Sequence, residues 1–181
     1  MIDLGNTDPS RFPVGIADAG SGRVTGDTLK AAIDLAMAGL VDAVSFAPLN
    51  KRALFDGGWR FPDEHKMFAH LLGHRGYFSE MNVLGQWWMS RVTSHVSLRQ
   101  ALDQIDASSI RNAIRLAVDT MRRAGIEQPR LAVAALNPHA GENGLFGSEE
   151  IDTIAPAVAA MAAEGYACLL YTSDAADDLL C

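Results

Sequence analysis

The sequence has little of what marks secreted, membrane-spanning or nucleic-acid-binding proteins. It contains two cysteines, Cys168 and Cys181, which excludes a disulfide framework or a cysteine-rich zinc site. No apolar run approaches the roughly 20 residues that a membrane-spanning helix requires. Basic residues are also few, with 15 Lys and Arg against 22 Asp and Glu, which argues against a nucleic-acid partner.

The first residues lack the basic stretch and the apolar core of a secretory signal, so we predict a cytoplasmic protein. What the sequence does contain is typical of a folded domain. Its 181 residues are 49% hydrophobic and 20% charged, which provides enough apolar surface to offset chain entropy in one domain or two small ones. We therefore expect a compact protein and not a disordered one.

Alternating helical and strand-like patterns predict an α/β protein with a largely parallel sheet that is covered on both faces. Residues 1–22 show no clear period and are predicted to be irregular. Helices are predicted at 28–40 (with Asp27 as N-cap), 50–55, 62–72, 98–105 (with Ser97 as N-cap), 107–124 and 148–164. Strands are predicted at 41–47, 77–84, 88–94 and 131–136, with a turn at Gly85 and Gln86 between the second and the third.

Three loops that follow predicted strands carry residues suited to chemistry, and ligands in open α/β sheets bind at this position. His139 lies in the loop 137–144, where glycines allow backbone groups to approach a ligand. His95 follows another strand, and two such histidines favour a shared metal site because neutral imidazole is a common ligand. A third ligand must come from elsewhere. Lys51 follows a third strand and suits an anionic group of a substrate.

Each of these residues also has a purely structural interpretation. The loop glycines could serve only as turn residues beside a solvated His139. His95 could be a structural side chain with satisfied hydrogen bonds, and Lys51 could be a solvated charge at the start of a helix. The residues alone leave both interpretations open.

Three further histidines, His65, His70 and His74, lie close together along the chain. His70 and His74 are four residues apart, as in helical metal pairs, but Gly73 is expected to end the helix between them. No glutamate-containing zincin motif accompanies them, so a histidine-rich surface helix is the better interpretation.

Three segments carry a more specific signal. Residues 47–54 read APLNKRAL, residues 92–99 read VTSHVSLR and residues 136–147 read LNPHAGENGLFG. In this order they closely resemble the 4-hydroxythreonine-4-phosphate dehydrogenase family of pyridoxal-phosphate biosynthesis, over about residues 14–166. The resemblance implies an isocitrate/isopropylmalate-dehydrogenase-like α/β/α sandwich, incomplete in this chain, and a homodimer.

The resemblance also implies an activity and a site. The family oxidises a secondary alcohol with NAD or NADP and a divalent metal (Zn, Mg, Mn or Co), after which the β-keto acid loses CO₂. His95 and His139 match two of its metal-binding histidines, in a site that draws on both subunits. Asn50, Lys51 and His65 are expected to bind the substrate, with Lys51 as the catalytic residue. The substrate is expected to be 4-hydroxythreonine-4-phosphate or a related four-carbon hydroxy-acid phosphate.

Several family features have no counterpart here. These are the opening Gly-Asp-Pro-Ala-Gly segment, a later His-Asp-Gln-Gly motif with the third metal histidine, and most of the nucleotide-binding region. We therefore expect an internal fragment, with a partial dehydrogenase domain at 1–168, that is inactive by itself and whose cofactor-binding residues are unknown. Residues 169–181 resemble translated sequencing-adapter read-through and are expected to be a foreign, disordered tail.

The substrate-binding Gly-His-Thr segment of the family falls here on Asp63, Glu64 and His65. Two carboxylates near a phosphate would repel it, which favours a paralogous branch that acts on threonate or erythronate phosphates or on other vicinal diols. The alternative is that the stretch only begins a surface helix, with both acids near the positive end of its dipole.

Two other functions stay open from the sequence. The chain could be a non-catalytic dimerisation or binding piece, since it lacks a third metal ligand and a cofactor site. It could also be a metal hydrolase that uses His95, His139 and one of the other three histidines, which would need a general base near the metal. The exact substrate, the metal and the choice between NAD and NADP are not determined.

Overall fold

A computed structural model of the chain describes residues 2–12 and 14–172. The chain divides into two units, Met1–Gly76 and Tyr77–Cys181. Helices and strands both occur, which agrees with the predicted α/β class at this level. Across the described ranges, no helix is both long enough and apolar enough to cross a membrane.

The first unit contains three α-helices and one short 3₁₀ turn among its described residues. Their bounds are Pro9–Arg11 for the 3₁₀ turn, Ala19–Met37 for α1, Lys51–Asp56 for α2 and Glu64–Leu71 for α3. Helices α2 and α3 confirm the predictions at 50–55 and 62–72. Gly73, with φ 64°, follows the end of α3 as predicted.

Helix α1 begins earlier than the sequence predicts. Its N-cap is Asp18, whose carboxylate accepts a hydrogen bond from Ser21 N at 2.7 Å. Asp27, the predicted N-cap, lies inside the helix and accepts a hydrogen bond from Trp59 Nε1 at 3.2 Å. The prediction of Asp27 as a cap is therefore wrong, because this carboxylate has a distant partner.

Local helix propensity does not predict the first half of α1, because this half contains Gly22 and Gly26 and glycine disfavours helix interiors. A Cβ placed on Gly22 would lie 1.8 Å from the Ala53 carbonyl oxygen of α2. A Cβ on Gly26 would lie 2.0 Å from the ring of Trp59. The glycines are thus required by close packing of α2 and Trp59 on the helix, which local propensity cannot reveal.

The core of the first unit lies where its three helices meet. Leu29, Leu54 and Met67, one from each helix, are all buried. Half-buried side chains surround this cluster: Leu49, Trp59, Phe61, Phe68 and Leu71.

The predicted strand 41–47 is not formed. Val41 and Phe46 are 41% and 42% exposed, so this run is not the buried strand that its composition indicates. A strand needs a neighbour for its backbone hydrogen bonds, and the described part of the first unit contains no other strand. The segment therefore forms no strand because the described part of the unit offers it no pairing partner, although its residue types favour a strand.

The second unit contains four strands in its described part. β1 (Met81–Leu84) and β2 (Trp87–Ser90) form the predicted hairpin around Gly85. β3 (Leu131–Ala134) pairs in parallel with β4 (Cys168–Tyr171). The prediction of one largely parallel sheet is therefore wrong for the described residues, which form two sheets of two strands each. A two-residue turn joins only antiparallel strands, so the predicted turn was already in conflict with a parallel pairing there.

The described part of the second unit also contains three α-helices, the last two of which pack on the parallel pair of strands. The order is α4 (Leu98–Asp103), capped by Ser97 as predicted, then α5 (Ala107–Arg123) and α6 (Ala155–Ala163), the last preceded by a π-helical turn at Glu150–Ile154. Buried residues from α5, from the π-helical turn and from α6 pack together into one core: Ile110, Ile114, Ile154, Ala157, Val158 and Met161.

Strand β4 corrects the expected start of the disordered tail. Order was expected to end before Leu169, but β4 continues to Tyr171, whose carbonyl oxygen accepts a hydrogen bond from Ala135 N at 3.0 Å. Leu170 packs against the core of the unit. The expectation is therefore wrong for these strand residues. Residues 173–181 lie outside the described ones, and the foreign origin of the tail stays a prediction.

Two adjacent leucines test whether β4 belongs to the folded unit. Leu170→Ala is expected to lower the free energy of unfolding by about 1.5–3 kcal/mol, because it removes a core contact. Leu169, 57% exposed on the other face, is the matched control, and Leu169→Ala is expected to cost less than about 0.5 kcal/mol. Urea unfolding of the two variants measures both values. Equal, small losses would show that β4 contributes nothing to stability.

Candidate metal and substrate sites

His95 lies five residues beyond the end of β2, in a backbone conformation that is uncommon for a non-glycine residue (φ 56°). Its Nε2 atom lies 2.9 Å from Glu80 Oε1. The other oxygen of the same carboxylate, Oε2, accepts a hydrogen bond from the guanidinium of Arg91. The Glu80 side chain is 22% exposed, so this half-buried carboxylate joins an imidazole and a guanidinium.

Glu80 is a candidate site residue that the motifs do not include, although the sequence carries a signal for it. The hairpin register pairs Met81 with Ser90, so the next pair outward is Glu80 opposite Arg91. Residues directly opposite each other in an antiparallel pair have close side chains, and opposite charges there attract. Extending the predicted hairpin by one pair would have placed this carboxylate near the segment that leads to His95.

Two hydroxyl groups hold the backbone at Arg91. Ser79 Oγ and Tyr77 Oη donate hydrogen bonds to the Arg91 carbonyl oxygen at 3.2 Å and 3.4 Å. Burial raises the pKa of the Tyr77 hydroxyl, although the hydrogen bond with Ser79 opposes this shift. The phenol is therefore protonated at neutral pH and available as a donor, which steadies the start of the segment that leads to His95.

His139 lies five residues beyond the end of β3, immediately before a 3₁₀ turn at Ala140–Gly144. Asn137 Oδ1 accepts hydrogen bonds from the backbone N of His139 at 3.0 Å and of Gly141 at 3.4 Å. The imidazole Nδ1 lies 3.2 Å from Glu142 Oε1, and the His139 side chain is 60% exposed. The turn thus presents an accessible imidazole beside a carboxylate.

The backbone of this turn is left-handed over five consecutive residues. Their φ angles are 48° for Ala140, 72° for Gly141, 47° for Glu142, 56° for Asn143 and 94° for Gly144. Three of the five are not glycine, so the conformation carries a cost that other contacts must offset. Such conformations cluster at functional sites, which supports a role for the loop beyond a simple turn.

The predicted substrate residues lie in the first unit, at the starts of two helices. Asn50 is the N-cap of α2, and its Oδ1 accepts a hydrogen bond from Ala53 N at 2.9 Å. Lys51 Nζ lies 3.3 Å from Glu64 Oε2. This contact is an ion pair only, because Glu64 Oε2 is buried and accepts no hydrogen bond from the described residues.

The stretch that replaces the Gly-His-Thr segment begins α3, as the structural alternative predicts. Asp63 is 3% exposed and is the N-cap of α3, accepting a hydrogen bond from Lys66 N at 2.8 Å. His65 Nδ1 lies 3.9 Å from the same carboxylate. Asp63 is therefore engaged as the N-cap of α3. Glu64 is the carboxylate that would repel an anion bound at Lys51.

The remaining histidine of α3 has a structural contact. The ring of His70 packs against that of Phe61, with their centroids 5.2 Å apart. His70 is itself exposed in the last turn of α3, which supports the interpretation as a surface helix. His74 lies beyond Gly73, outside the helix.

The contact between His95 and Glu80 fits a divalent metal. Imidazole nitrogen and carboxylate oxygen bind such ions at about 2.0–2.2 Å, which places neighbouring ligand atoms about 3–3.5 Å apart. Nε2 and Oε1 are 2.9 Å apart, the distance of a hydrogen bond, and both atoms are therefore close enough to reach one ion. Mixed nitrogen and oxygen donors suit Zn, Mn or Co. His139 and Glu142 offer the same pair of donor types in the second loop.

The described residues thus form a mixed α/β fold that presents imidazole and carboxylate side chains in the loops after β2 and β3, the position at which α/β enzymes bind ligands. The sequence identifies the family to which the chain belongs. It matches the family described as pyridoxal phosphate biosynthetic protein PdxA over residues 2–178, and the chain belongs to this family.

Named relatives agree with this assignment. A protein of Pseudomonas aeruginosa, provisionally named 4-hydroxythreonine-4-phosphate dehydrogenase 2, is 46% identical over 156 residues, covering 86% of this chain and 46% of the relative. D-threonate 4-phosphate dehydrogenase of Pectobacterium atrosepticum is 39% identical over 165 residues, covering 91% and 50%. The chain thus spans about half the length of the curated relatives it matches.

A solved structure shows the same fold. The crystal structure of 4-hydroxythreonine-4-phosphate dehydrogenase from Klebsiella pneumoniae superposes with a TM-score of 0.82 at 40% identity. The match covers 93% of this chain and 50% of that one. The resemblance stated from the three motifs is therefore confirmed. The isocitrate/isopropylmalate-dehydrogenase-like sandwich is a finer statement, and it stays a prediction.

Proposed function

We propose that the chain provides metal- and substrate-binding residues of an NAD- or NADP-dependent dehydrogenase. Its substrate is 4-hydroxythreonine-4-phosphate or a related four-carbon hydroxy-acid phosphate, and decarboxylation follows the oxidation of the secondary alcohol. The observation that carries the proposal is membership of a family whose matched relatives are named as such dehydrogenases. The contact between Glu80 and His95, which matches a metal-binding histidine of the family, adds a carboxylate beside that imidazole.

In this proposal the residues of the two loops have distinct tasks. His95 and His139 hold the divalent metal, and Glu80 supplies a carboxylate beside His95. These residues would hold a divalent ion, which would supply Lewis-acid polarisation of the alcohol oxygen. Lys51 attracts the anionic end of the substrate, assisted by Asn50, which precedes it, and by His65, which follows its partner Glu64. Nicotinamide would be the hydride acceptor. The enzyme is proposed to be a cytoplasmic homodimer with the α/β/α sandwich of its family, in which both subunits complete the metal site.

The pair formed by Lys51 and Glu64 bears on the binding of phosphorylated substrates. Glu64 Oε2 lies 3.3 Å from the ammonium group, so a carboxylate already offsets the charge that would attract a phosphate dianion. The Glu64 side chain is 19% exposed, so solvent screens it only in part. This carboxylate acts alike on every phosphorylated substrate, because 4-phosphohydroxythreonine and the threonate and erythronate phosphates all carry the phosphate group. The choice of a threonate phosphate is supported by relatives named D-threonate 4-phosphate dehydrogenase.

The experiment that tests the function uses the longest reading frame that contains this sequence. NAD and NADP reduction is followed with 4-phosphohydroxythreonine and with D-threonate 4-phosphate, and catalytic efficiencies are compared. A higher efficiency on the threonate phosphate is expected. Phosphate release without nicotinamide reduction would support the hydrolase alternative, and no turnover of either kind would support a non-catalytic binding piece.

Removing the charge of Glu64 is expected to improve the use of phosphorylated substrates. Glu64→Gln should lower KM for the phosphorylated substrate about three- to tenfold with little change in kcat, because one like charge near the anion is removed. Asp56, which pairs with Arg52 on the surface of α2, is the matched control, and Asp56→Asn should leave KM within about twofold. An unchanged KM in Glu64→Gln would show that the acid only begins a helix.

A further inference from the structure

Glu150 is a buried carboxylate to which neither the sequence analysis nor the proposed mechanism gives a role. It begins the π-helical turn before α6 and is 4% exposed. Charged side chains are rarely buried to this degree unless they are paired. In the sequence Glu149 and Glu150 follow the segment 136–147 and share its resemblance to the family, and both are acids in the first turn of a predicted helix.

One oxygen of this carboxylate fixes the start of the loop that carries His139. Glu150 Oε1 accepts a hydrogen bond from Leu136 N at 2.8 Å. Leu136 lies two residues beyond the end of β3 and directly before Asn137, whose side chain holds the backbone of His139. The carboxylate therefore connects the start of α6 to the start of the loop across fourteen residues of sequence.

The second oxygen lies beneath the left-handed turn. Glu150 Oε2 is buried and accepts no hydrogen bond from the described residues. A Cβ on Gly141 would lie 3.4 Å from this oxygen and 2.5 Å from the Gly147 carbonyl oxygen. The turn thus closes tightly over the carboxylate, and the contact with Gly147, together with a φ of 72°, leaves no room for a side chain at Gly141.

We infer that Glu150 is a positioning residue that holds the loop 136–147 in the geometry that presents His139 to a divalent metal. The inference rests on the proposed function, in which His139 is a metal ligand. A residue that only contributed to the core would be expected to be apolar, since burying an unsatisfied carboxylate oxygen is costly. Holding a strained turn in place explains why that cost is tolerated.

The test is a calorimetric titration of Zn²⁺ alone into the full chain. Glu150→Ala is expected to weaken Zn²⁺ binding about ten- to hundredfold, the usual effect of losing a group that orients a ligand. Glu150→Gln keeps the acceptor for Leu136 N and should bind within about threefold of the parent chain. The exposed neighbour Glu149 is the matched control, and Glu149→Ala should bind as the parent chain does.

A second measurement separates positioning from stability. Hydrogen exchange at the Leu136 amide should accelerate at least about tenfold in Glu150→Asp, whose shorter side chain no longer reaches it, and not in Glu150→Gln. If Glu150→Ala fails to fold, the Asp variant takes its place in the titration with the same expected loss. Parent-like Zn²⁺ binding by a folded Ala or Asp variant would overturn the inference.

The outcome for His139→Ala keeps this inference distinct from the proposed function. If His139→Ala binds Zn²⁺ as the parent chain does, the metal role of His139 fails, and the role of Glu150 fails with it. If His139→Ala loses binding while Glu150→Ala and Glu150→Asp keep it, the proposed function stands and only the positioning role is wrong.

Discussion

Replacing His95 by alanine is expected to weaken divalent-metal binding and to lower metal-dependent turnover by at least about a hundredfold. The imidazole and the Glu80 carboxylate, 2.9 Å apart, are two donors that the structure brings to one place. Losing the nitrogen leaves a carboxylate that Arg91 already engages. Metal ions supply much of the stabilisation of developing charge in such reactions, so turnover should fall with affinity.

The matched control for this variant is another histidine with a defined packing role. His70 packs on Phe61, and His70→Ala should leave metal affinity within about twofold. Calorimetric titration with Zn²⁺ or Mn²⁺ gives the affinity, and nicotinamide reduction by the longest reading frame gives the turnover. Equal affinity in the His70 and His95 variants would remove His95 from the metal site.

The second large effect is expected at Gly141. Gly141→Ala should lower the free energy of unfolding by about 3 kcal/mol or more and should weaken metal binding through His139. Two costs add up here, because φ is 72° and the new Cβ would lie 2.5 Å from the Gly147 carbonyl oxygen. The turn that follows His139 must then open.

A substitution at Gly144 distinguishes the cost of the positive φ from the cost of the close contact. Gly144 shares the positive φ, at 94°, but a Cβ there would meet nothing closer than Ile151 Cδ1 at 3.5 Å. Gly144→Ala should therefore cost about 1–2 kcal/mol and spare metal binding. Urea unfolding and Zn²⁺ titration of both variants give the comparison. Similar losses in the two variants would show that the positive φ, and not the contact with Gly147, sets the cost.

Much of the fold could be predicted because its signals are local. Ser97 and Asn50 each have the residue type and position of an N-cap, and each caps the helix that follows. The turn at Gly85 likewise defined the hairpin of β1 and β2. In each case the signal lies within a few residues of the element it defines.

The errors arose where contacts between distant residues decide the structure. The glycines at 22 and 26 read as helix-breaking, yet α2 and Trp59 pack so closely on α1 that no side chain fits there. The run at 41–47 has the composition of a strand but lacks a partner strand among the described residues of its unit. Leu169–Tyr171 do not continue the periodic pattern before them, yet they pair with β3 in a parallel ladder.

The site divides in the same way. Motif resemblance located His95 and His139, and both lie in loops after strands as predicted. Glu80 was missed because fifteen residues separate it from His95, although the hairpin register could have revealed it. Glu150 was missed because two consecutive acids begin that helical segment, and nothing in the local sequence shows which of them is buried.

The most direct test of the account is whether nicotinamide reduction depends on a divalent metal. The longest reading frame that contains this sequence is treated with a chelator, freed of it, and assayed with D-threonate 4-phosphate and NAD or NADP. We predict no reduction after the treatment and recovery when Zn²⁺, Mn²⁺ or Co²⁺ is added back, with no recovery in His95→Ala. Full activity of the metal-free enzyme, or equal recovery in the variant, would contradict the account.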